Sequence, residues 1–202
     1  SKLRLGKFTC TIFPRVGEIL TINSELTSAD RTKLPFPYPH ILAKLDVGDR
    51  ILIADGTSTL EVAEIREEEV VTKVISSSAP ISERKGVNFP GLAVQREVLP
   101  EKDKKDLEFA GRLGFDWIGV SFVQTADDIK EIRSYAHKIG CSALVMAKME
   151  LEAAIVNQQS ILAEVNGCMV ARGDMGVEIP LAKVPIAQEQ LIATSRHMGI
   201  PA

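Results

Sequence analysis

Two short segments near the C-terminal end decide the interpretation of this chain: Ala147-Lys148-Met149-Glu150 and Met169-Val170-Ala171-Arg172-Gly173-Asp174. Each segment follows or completes a strand-like apolar run, residues 143–146 in one case and 168–171 in the other. Each also places charged side chains at the carboxyl end of its run. Because ligands bind at the carboxyl ends of the strands in parallel α/β folds, the two segments together predict a ligand site.

The spacing of the charged residues predicts which of them point together. Side chains at positions i and i+2 of a strand share a face, so Lys148 and Glu150 should point together and Met149 away from them. The same spacing predicts a shared face for Arg172 and Asp174. Two carboxylates and a cation at neighbouring strand ends suit a hard metal ion beside an anionic, phosphorylated substrate. The alternative is purely structural: one acid pairs with Arg172 and the other caps a helix.

Composition narrows the class of protein. The chain has 202 residues, of which 45% are hydrophobic, enough for one or two sizeable cores. Its net charge of −3 is spread without a basic stripe, which argues against a nucleic-acid partner. No apolar run approaches the ~20 residues of a membrane span, so a cytoplasmic enzyme is expected. Cys10, Cys141 and Cys168 show no CxxC spacing and are predicted to be buried thiols in a reducing compartment.

Residues 1–90 have the pattern of a small all-β domain, predicted to be a barrel or a sandwich. Asp55-Gly56 predicts a hairpin turn between Ile53 and Leu60. The proline-rich segment 34–39 is predicted to be a loop. The predicted strands in this domain are Leu5–Phe13, Glu18–Ile22, Arg50–Ala54, Thr59–Ile65 and Val70–Ile75.

Residues 91–202 instead alternate helices and strands, which predicts a parallel sheet. Thr125 should cap a helix together with Asp128, and Pro185 should open another helix. Three strands cannot close a barrel of eight and would leave exposed edges, so flanking segments are expected to complete a (β/α)8 barrel. The remaining predicted elements are a helix over 101–113 and buried strands over 117–122, 143–148 and 167–171.

Five sequence motifs resemble the pyruvate kinase family: KGVNFPG, EKDKKDL, GVSFV, MAKME and NGCMVARGDMGVEIPLAKVPIAQEQLI. They occur in family order and span essentially the whole chain, and VARGD followed by GVEIP is the most specific. The resemblance implies a partial (β/α)8 TIM-type barrel over residues 91–202, preceded by a small β-barrel lid domain over residues 1–90. The family's first barrel strands would precede Ser1 and its C-terminal domain would follow Ala202. We therefore expect the middle of a larger protein, inactive by itself.

The resemblance also implies a reaction and a set of partners. Pyruvate kinases transfer the phosphoryl group of phosphoenolpyruvate to ADP in glycolysis, giving pyruvate and ATP. Glu150 and Asp174 would bind Mg²⁺ or Mn²⁺, and Lys148 would be the catalytic cation beside the phosphoryl group in transit. A second, nucleotide-borne Mg²⁺ and a K⁺ ion are implied, with the K⁺ ligands outside this chain. The intact protein would be a homotetramer, as family members commonly are.

The remaining site assignments follow the same resemblance. The turn of Ala171, Arg172, Gly173 and Asp174 would bind the substrate carboxylate, with the Gly173 and Asp174 amides as donors. Ser121 and Phe122 would border the substrate pocket, although Phe122 could equally be a packed strand end. Arg4 and Lys85 match positions that contact nucleotide phosphates as the lid closes. Without the resemblance, these two would be solvated charges at a domain hinge.

Three positions depart from the family pattern. Ala54-Asp55 replaces the usual Asp-Asp, Leu151 replaces an Asn, and Val165-Asn166-Gly167 replaces Ser-Asp-Gly. None removes a group that would contact metal or phosphate. Leu151 cannot supply the amide hydrogen bonds of an Asn, and such support shapes metal affinity.

Two other functions stay open from the sequence. One is a metal-dependent lyase or aldolase that works through a pyruvate enolate with the same Lys, Glu and Asp. The inserted β domain with Arg4 and Lys85 argues against it. The other is a non-catalytic module that binds metal or nucleotide.

Overall fold

The computed structural model describes residues 3–92 and 97–202, which form two compact units. The described residues up to Leu92 belong to the first unit, and those from Glu97 onward belong to the second. Each unit has its own hydrophobic core. They are described separately below.

The first unit is built mainly from β-strands. Its largest sheet has six strands in the order β4-β2-β7-β6-β5-β8, and β1 and β3 form a separate parallel pair. The alternating burial along β6 directs one face of the sheet into the core, as expected for a half-buried strand. The elements in chain order are β1 (Lys7–Phe8), β2 (Ile19–Asn23), β3 (Ser28–Ala29), β4 (Lys33–Pro35), α1 (Pro39–Leu42), β5 (Arg50–Ile53), β6 (Ser58–Ile65), β7 (Glu69–Ser77) and β8 (Val87–Asn88).

The segment of residues 3–6 links the two outer strands of this sheet. The Val87 amide of β8 donates to the Leu3 carbonyl at 3.0 Å, and the Gly6 amide donates to the Pro35 carbonyl of β4 at 2.8 Å. A Cβ at Gly6 would lie 3.0 Å from the Cβ of Pro35, so this close approach requires glycine. Hydrogen bonding therefore continues from one sheet edge to the other.

Two expectations for this unit need correction. The predicted strand Leu5–Phe13 is wrong beyond Lys7–Phe8, because the residues on either side bond to other segments. The proline-rich segment is not a loop throughout. It begins as the edge strand β4, where proline is tolerated because an edge strand can lack one backbone N–H donor. Pro39 then lies in the first turn of helix α1. The predicted hairpin at Asp55-Gly56 is confirmed by the antiparallel pairing of β5 with β6.

The second unit alternates helices with a three-stranded parallel sheet, as predicted. The strand order is β11-β10-β9, with both neighbours parallel to β10. Within residues 97–202, β9 and β11 each pair only with β10. The elements are α2 (Glu101–Leu113), β9 (Trp117–Val120), α3 (Ala126–Lys138), β10 (Leu144–Met149), α4 (Glu152–Val156), α5 (Gln158–Leu162), β11 (Gly167–Val170), α6 (Arg172–Glu178), a 3₁₀ turn (Leu181–Lys183) and α7 (Val184–His197).

Local sequence explains where the helices begin and end. Thr125 and Asp128 form the predicted capping box at the start of α3. Gly114 ends α2 in the left-handed conformation, with φ of 68°, which glycine adopts without a steric penalty. Pro185 lies in the first turn of α7, where its missing amide hydrogen is not needed. Among the helices in the described ranges, none is long and apolar enough to cross a membrane.

Strand β10 has two different faces. Val145, Ala147 and Met149 are buried in the core shared with the helices. Residues 144, 146 and 148 alternate with them and are less buried. The polar chemistry of the strand is therefore confined to the face away from the helices.

Only one of the three cysteines fits the expectation of burial. Cys168 is buried, whereas Cys10 is exposed and Cys141 is partly buried. The prediction was wrong for Cys10 because this residue lies in the turn between β1 and the Ile12 bridge to Ile81.

Candidate functional site

The carboxyl end of β10 carries a close ion pair. Lys148 lies in β10 and Glu150 directly follows it, and the Lys148 Nζ is 2.5 Å from the Glu150 Oε1. Met149 between them is fully buried on the opposite side. The prediction that Lys148 and Glu150 share a face is therefore confirmed.

The turn after β9 holds both members of this pair. Ser121 Oγ accepts a hydrogen bond from Lys148 Nζ at 2.8 Å, and the Phe122 amide donates to Glu150 Oε2 at 3.0 Å. The predicted strand 117–122 ends earlier, at Val120, because Phe122 has a left-handed backbone with φ of 60°. This bend points the Phe122 amide at the carboxylate. Ser121 and Phe122 thus contact Lys148 and Glu150 from a turn, and their bordering of a substrate pocket stays a prediction.

Glu150 is a buried acid beside a partly exposed cation. Its side chain is 1% exposed, and the Lys148 side chain is 27% exposed. Oε1 is close to the lysine ammonium but accepts no hydrogen bond of good geometry. The contact is a charge pair, because Coulomb attraction does not depend on the direction of the N–H bonds whereas a hydrogen bond does. The ammonium compensates the charge of this buried oxygen, and a second lone pair on it could bind a divalent cation.

Gly119 lies beside the Lys148 stem, a neighbour that was not among the predicted site residues. A Cβ at Gly119 would lie 3.8 Å from the Lys148 Cδ, the nearest atom to that position. The β9–β10 register pairs Gly119 with Met146, so the stem of Lys148 passes over the neighbouring strand. Gly119 is the first residue of the GVSFV motif, so the sequence did mark this position.

The segment after β11 adopts a helix, which changes one prediction. Arg172 and Asp174 both lie in α6, where residues two apart point in different directions, so the predicted common face is wrong. Ala171 is the N-cap of this helix, and its carbonyl accepts from the Met175 amide at 2.9 Å. A Cβ on Gly173 would meet no atom within 4 Å. The first turn of α6 therefore offers open space beside its backbone.

The two predicted metal ligands follow paired strands. Met149 of β10 is in register with Val170 of β11, Glu150 comes next in one segment, and Asp174 lies in the first turn of α6 in the other. Within residues 3–92 and 97–202, no group of three His, Cys, Asp or Glu side chains could hold a metal ion. A cation here would rely on two carboxylates plus substrate and water oxygens, a common arrangement for Mg²⁺.

Arg4 and Lys85 are neighbours within the first unit. Arg4 forms an antiparallel bridge with Gly86, and its Nη1 donates to the Arg84 carbonyl at 2.9 Å. The Leu5 amide donates to the Lys85 carbonyl at 2.9 Å. The two predicted phosphate contacts therefore occur on adjacent backbone segments, and their action on a nucleotide stays a prediction.

Cys168 is not part of the site chemistry. It is buried in the core of the second unit, with its Sγ 3.2 Å from the Ser195 Oγ. Burial raises the pKa of the Cys168 thiol, and the contact with Ser195 lowers it by less. The residue is therefore a protonated core thiol rather than a nucleophile.

Comparisons with known proteins agree on one family. Residues 6–202 match the family model described as "Pyruvate kinase, barrel domain". The chain is 37% identical over 205 residues to "Pyruvate kinase 2" of Synechocystis sp., and 39% identical over 202 residues to a pyruvate kinase of Methylorubrum extorquens. Each alignment covers 99% of this chain. A crystal structure of a pyruvate kinase from Cryptosporidium parvum superposes with a TM-score of 0.90 at 32% identity and covers the whole chain.

These relatives are longer than the chain. The alignments cover 34% of the Synechocystis protein and 41% of the Methylorubrum protein. The superposition covers 43% of the Cryptosporidium chain. The chain thus spans about two fifths of the proteins it resembles.

Proposed function

The chain belongs to the pyruvate kinase family, and on that premise we propose that it forms the central part of an enzyme that phosphorylates ADP. The phosphoryl donor would be phosphoenolpyruvate, and the products would be ATP and pyruvate. The observation that supports this best is the Lys148–Glu150 pair, held by Ser121 and Phe122 at the carboxyl end of β10. It combines a cation with a buried acid where barrel enzymes bind substrates.

Glu150 and Asp174 would hold the divalent cation, Mg²⁺ or Mn²⁺. When bound, the cation supplies positive charge beside the phosphoryl and enolate oxygens of the substrate. Glu150 fits this role because its Oε1 is buried and accepts no hydrogen bond of good geometry, which leaves a lone pair of this oxygen for a cation. Asp174 fits it because it follows the strand paired with β10. A nucleotide-borne Mg²⁺ and a K⁺ ion are further expectations from the family.

Lys148 would stabilise the phosphoryl group during transfer. The P–O bond to the enolate oxygen breaks while a bond forms to a terminal phosphate oxygen of ADP, and negative charge spreads over the transferred oxygens. The Lys148 ammonium is held by Ser121 and Glu150 and needs no large rearrangement to meet that charge. The enolate would then take a proton and become pyruvate.

The first turn of α6 would bind the substrate carboxylate. The amides of Gly173 and Asp174 lie at the start of a helix, where anions are favoured. The open space beside Gly173 would let the substrate approach the backbone. Ala171 and Arg172 would complete this turn, with Phe122 and Ser121 bordering the pocket across β10.

The wider setting follows from the same proposal. The three parallel strands would belong to a (β/α)8 barrel, and the first unit would serve as its β-barrel lid, with Arg4 and Lys85 at the nucleotide phosphates. The intact enzyme would be a cytoplasmic homotetramer acting in glycolysis. These features rest on family membership.

A coupled assay on the intact protein tests the reaction. Pyruvate should form only when phosphoenolpyruvate, ADP and Mg²⁺ are all present, with K⁺ included in the buffer. Lys148→Met should abolish pyruvate formation without abolishing folding, as checked by circular dichroism. Pyruvate release from a carbon–carbon bond substrate without ADP would instead indicate a lyase. Binding of phosphoenolpyruvate or Mg²⁺ without turnover would indicate a non-catalytic module.

A further inference from the structure

Residues 121–125, here called the β9 turn, determine where the Glu150 carboxylate can point. The Phe122 amide binds Glu150 Oε2 at 3.0 Å, so this oxygen is occupied. Oε1 lies 2.5 Å from the Lys148 Nζ and accepts no hydrogen bond of good geometry, so a lone pair of this oxygen remains for a cation. Moving the β9 turn would break the hydrogen bond to Oε2 and change the orientation of the Glu150 carboxylate toward a cation.

The conformation of the β9 turn has to be held from outside. Phe122 has a φ of 60°, a left-handed conformation that is unfavourable for a residue with a bulky side chain. Such backbone persists when the surrounding structure fixes it. Two anchors are already evident: Val123 is 1% exposed in the core, and Asp128 Oδ2 accepts from the Gln124 amide at 2.7 Å.

The third anchor is Asn157, which lies between α4 and α5. Its Nδ2 donates to the Gln124 carbonyl at 2.9 Å, so Gln124 is held on its amide side by Asp128 and on its carbonyl side by Asn157. Asn157 belongs to the segment that follows Glu150 in the chain. It thereby ties the β9 turn to the segment that carries the metal-binding acid.

We propose that Asn157 is a positioning residue for the metal-binding carboxylate of Glu150. By holding the Gln124 carbonyl it maintains the left-handed Phe122, whose amide keeps Glu150 Oε2 occupied and Oε1 directed to the cation. The inference rests on the proposed function, because it takes Glu150 as a metal ligand. Leu151 lies at the position where the family usually has an Asn, and its apolar side chain is buried in the core, so it offers the carboxylate no amide. Support for Glu150 comes from the Phe122 amide instead.

The test uses Asn157→Leu in the intact protein, with Asn166→Leu as the matched control. Both substitutions keep the size of the side chain and remove one hydrogen bond between a side chain and the backbone. Asn166 accepts from the Val145 amide at 3.0 Å, at the opposite end of β10. That end lies roughly 16 Å from Glu150 at about 3.3 Å per strand residue. Asn157→Ala serves as a second variant if the leucine disturbs folding.

The measurements are Mn²⁺ binding, from the electron paramagnetic resonance signal of free Mn²⁺, and hydrogen exchange at the Phe122 amide. Asn157→Leu should weaken Mn²⁺ binding about tenfold, as expected for loss of support around a metal ligand. It should also speed exchange at Phe122, whereas Asn166→Leu should change neither quantity. If Asn157 had only a structural role, its loss would lower the stability of the fold without weakening Mn²⁺ binding by the folded protein.

A Glu150→Gln variant separates failure of this inference from failure of the proposed function. If Glu150→Gln weakens Mn²⁺ binding and Asn157→Leu does not, the inference is overturned and the metal assignment stands. Equal weakening in Asn157→Leu and Asn166→Leu also overturns it, because the effect would then be general. If Glu150→Gln leaves Mn²⁺ binding unchanged, the metal assignment and the inference that rests on it both fall.

Discussion

The Lys148–Glu150 pair predicts an unequal response to removal of its two members. Glu150 is almost fully buried, and the Lys148 side chain retains 27% of its exposure. Lys148→Met would leave a buried carboxylate that keeps the hydrogen bond from the Phe122 amide but has lost its charge partner. Glu150→Gln would leave an ammonium that still reaches water and contacts Ser121. The first change should therefore destabilise the protein more than the second.

The magnitudes follow from this burial. Removing one partner of a fully buried pair costs about 3–5 kcal/mol, and the partial exposure of Lys148 places the expected loss for Lys148→Met at about 3 kcal/mol. Glu150→Gln keeps an oxygen that can accept from the Phe122 amide, so about 1 kcal/mol is expected. The double variant should lose less than the sum, with a coupling of about 2 kcal/mol.

Urea unfolding of the intact protein without divalent cations, followed by circular dichroism, measures these differences. Mg²⁺ should then recover more stability in Lys148→Met than in the unsubstituted protein, because the uncompensated carboxylate would gain a cation. The reasoning would be refuted if Glu150→Gln destabilised the protein as much as Lys148→Met. It would also be refuted if Mg²⁺ gave both proteins the same gain.

Three further outcomes are expected. Gly173→Ala should leave thermal stability nearly unchanged, because the added Cβ would enter open space. It should raise the KM for phosphoenolpyruvate, and an unchanged KM would contradict binding of the substrate carboxylate at the first turn of α6. Burial raises the pKa of the Cys168 thiol above the value of about 8.5 for a free cysteine. The contribution of this thiol to the free energy of unfolding should therefore be fully present below about pH 8.5 and be lost as the pH rises through the folded-state pKa. Cys168→Ala should flatten this alkaline decline in the urea midpoint, whereas Cys10→Ala, an exposed control, should not. Leu151→Asn should destabilise the protein by about 2–4 kcal/mol in the same urea experiment, because it places an amide in an apolar core; an unchanged midpoint would show that the amide finds partners.

Much of the second unit was predictable because its signals are local. The capping box of Thr125 and Asp128, the glycine that ends α2 and the proline that opens α7 each act within a single turn of chain. The side-chain alternation of β10 placed Lys148 and Glu150 on one face. The same rule failed for Arg172 and Asp174, since α6 begins directly after Ala171 and a helix turns by about 100° per residue.

The sequence pattern did not predict the long-range contacts. The amide of Phe122 meets Glu150, and Asn157 meets Gln124, through pairings of segments that periodicity does not specify. The strand edges linked by residues 3–6 are a further example.

The sequence by itself determined the family, the alternation of helices with parallel strands, and the identity of the charged groups at the strand ends. Only the tertiary structure decided which carboxylate oxygen is occupied, how Lys148 is held, and what fixes the β9 turn. The physical reason is that periodicity and capping depend on neighbours along the chain. The position of a buried charge depends instead on donors and acceptors from separate strands, and only folding brings those together.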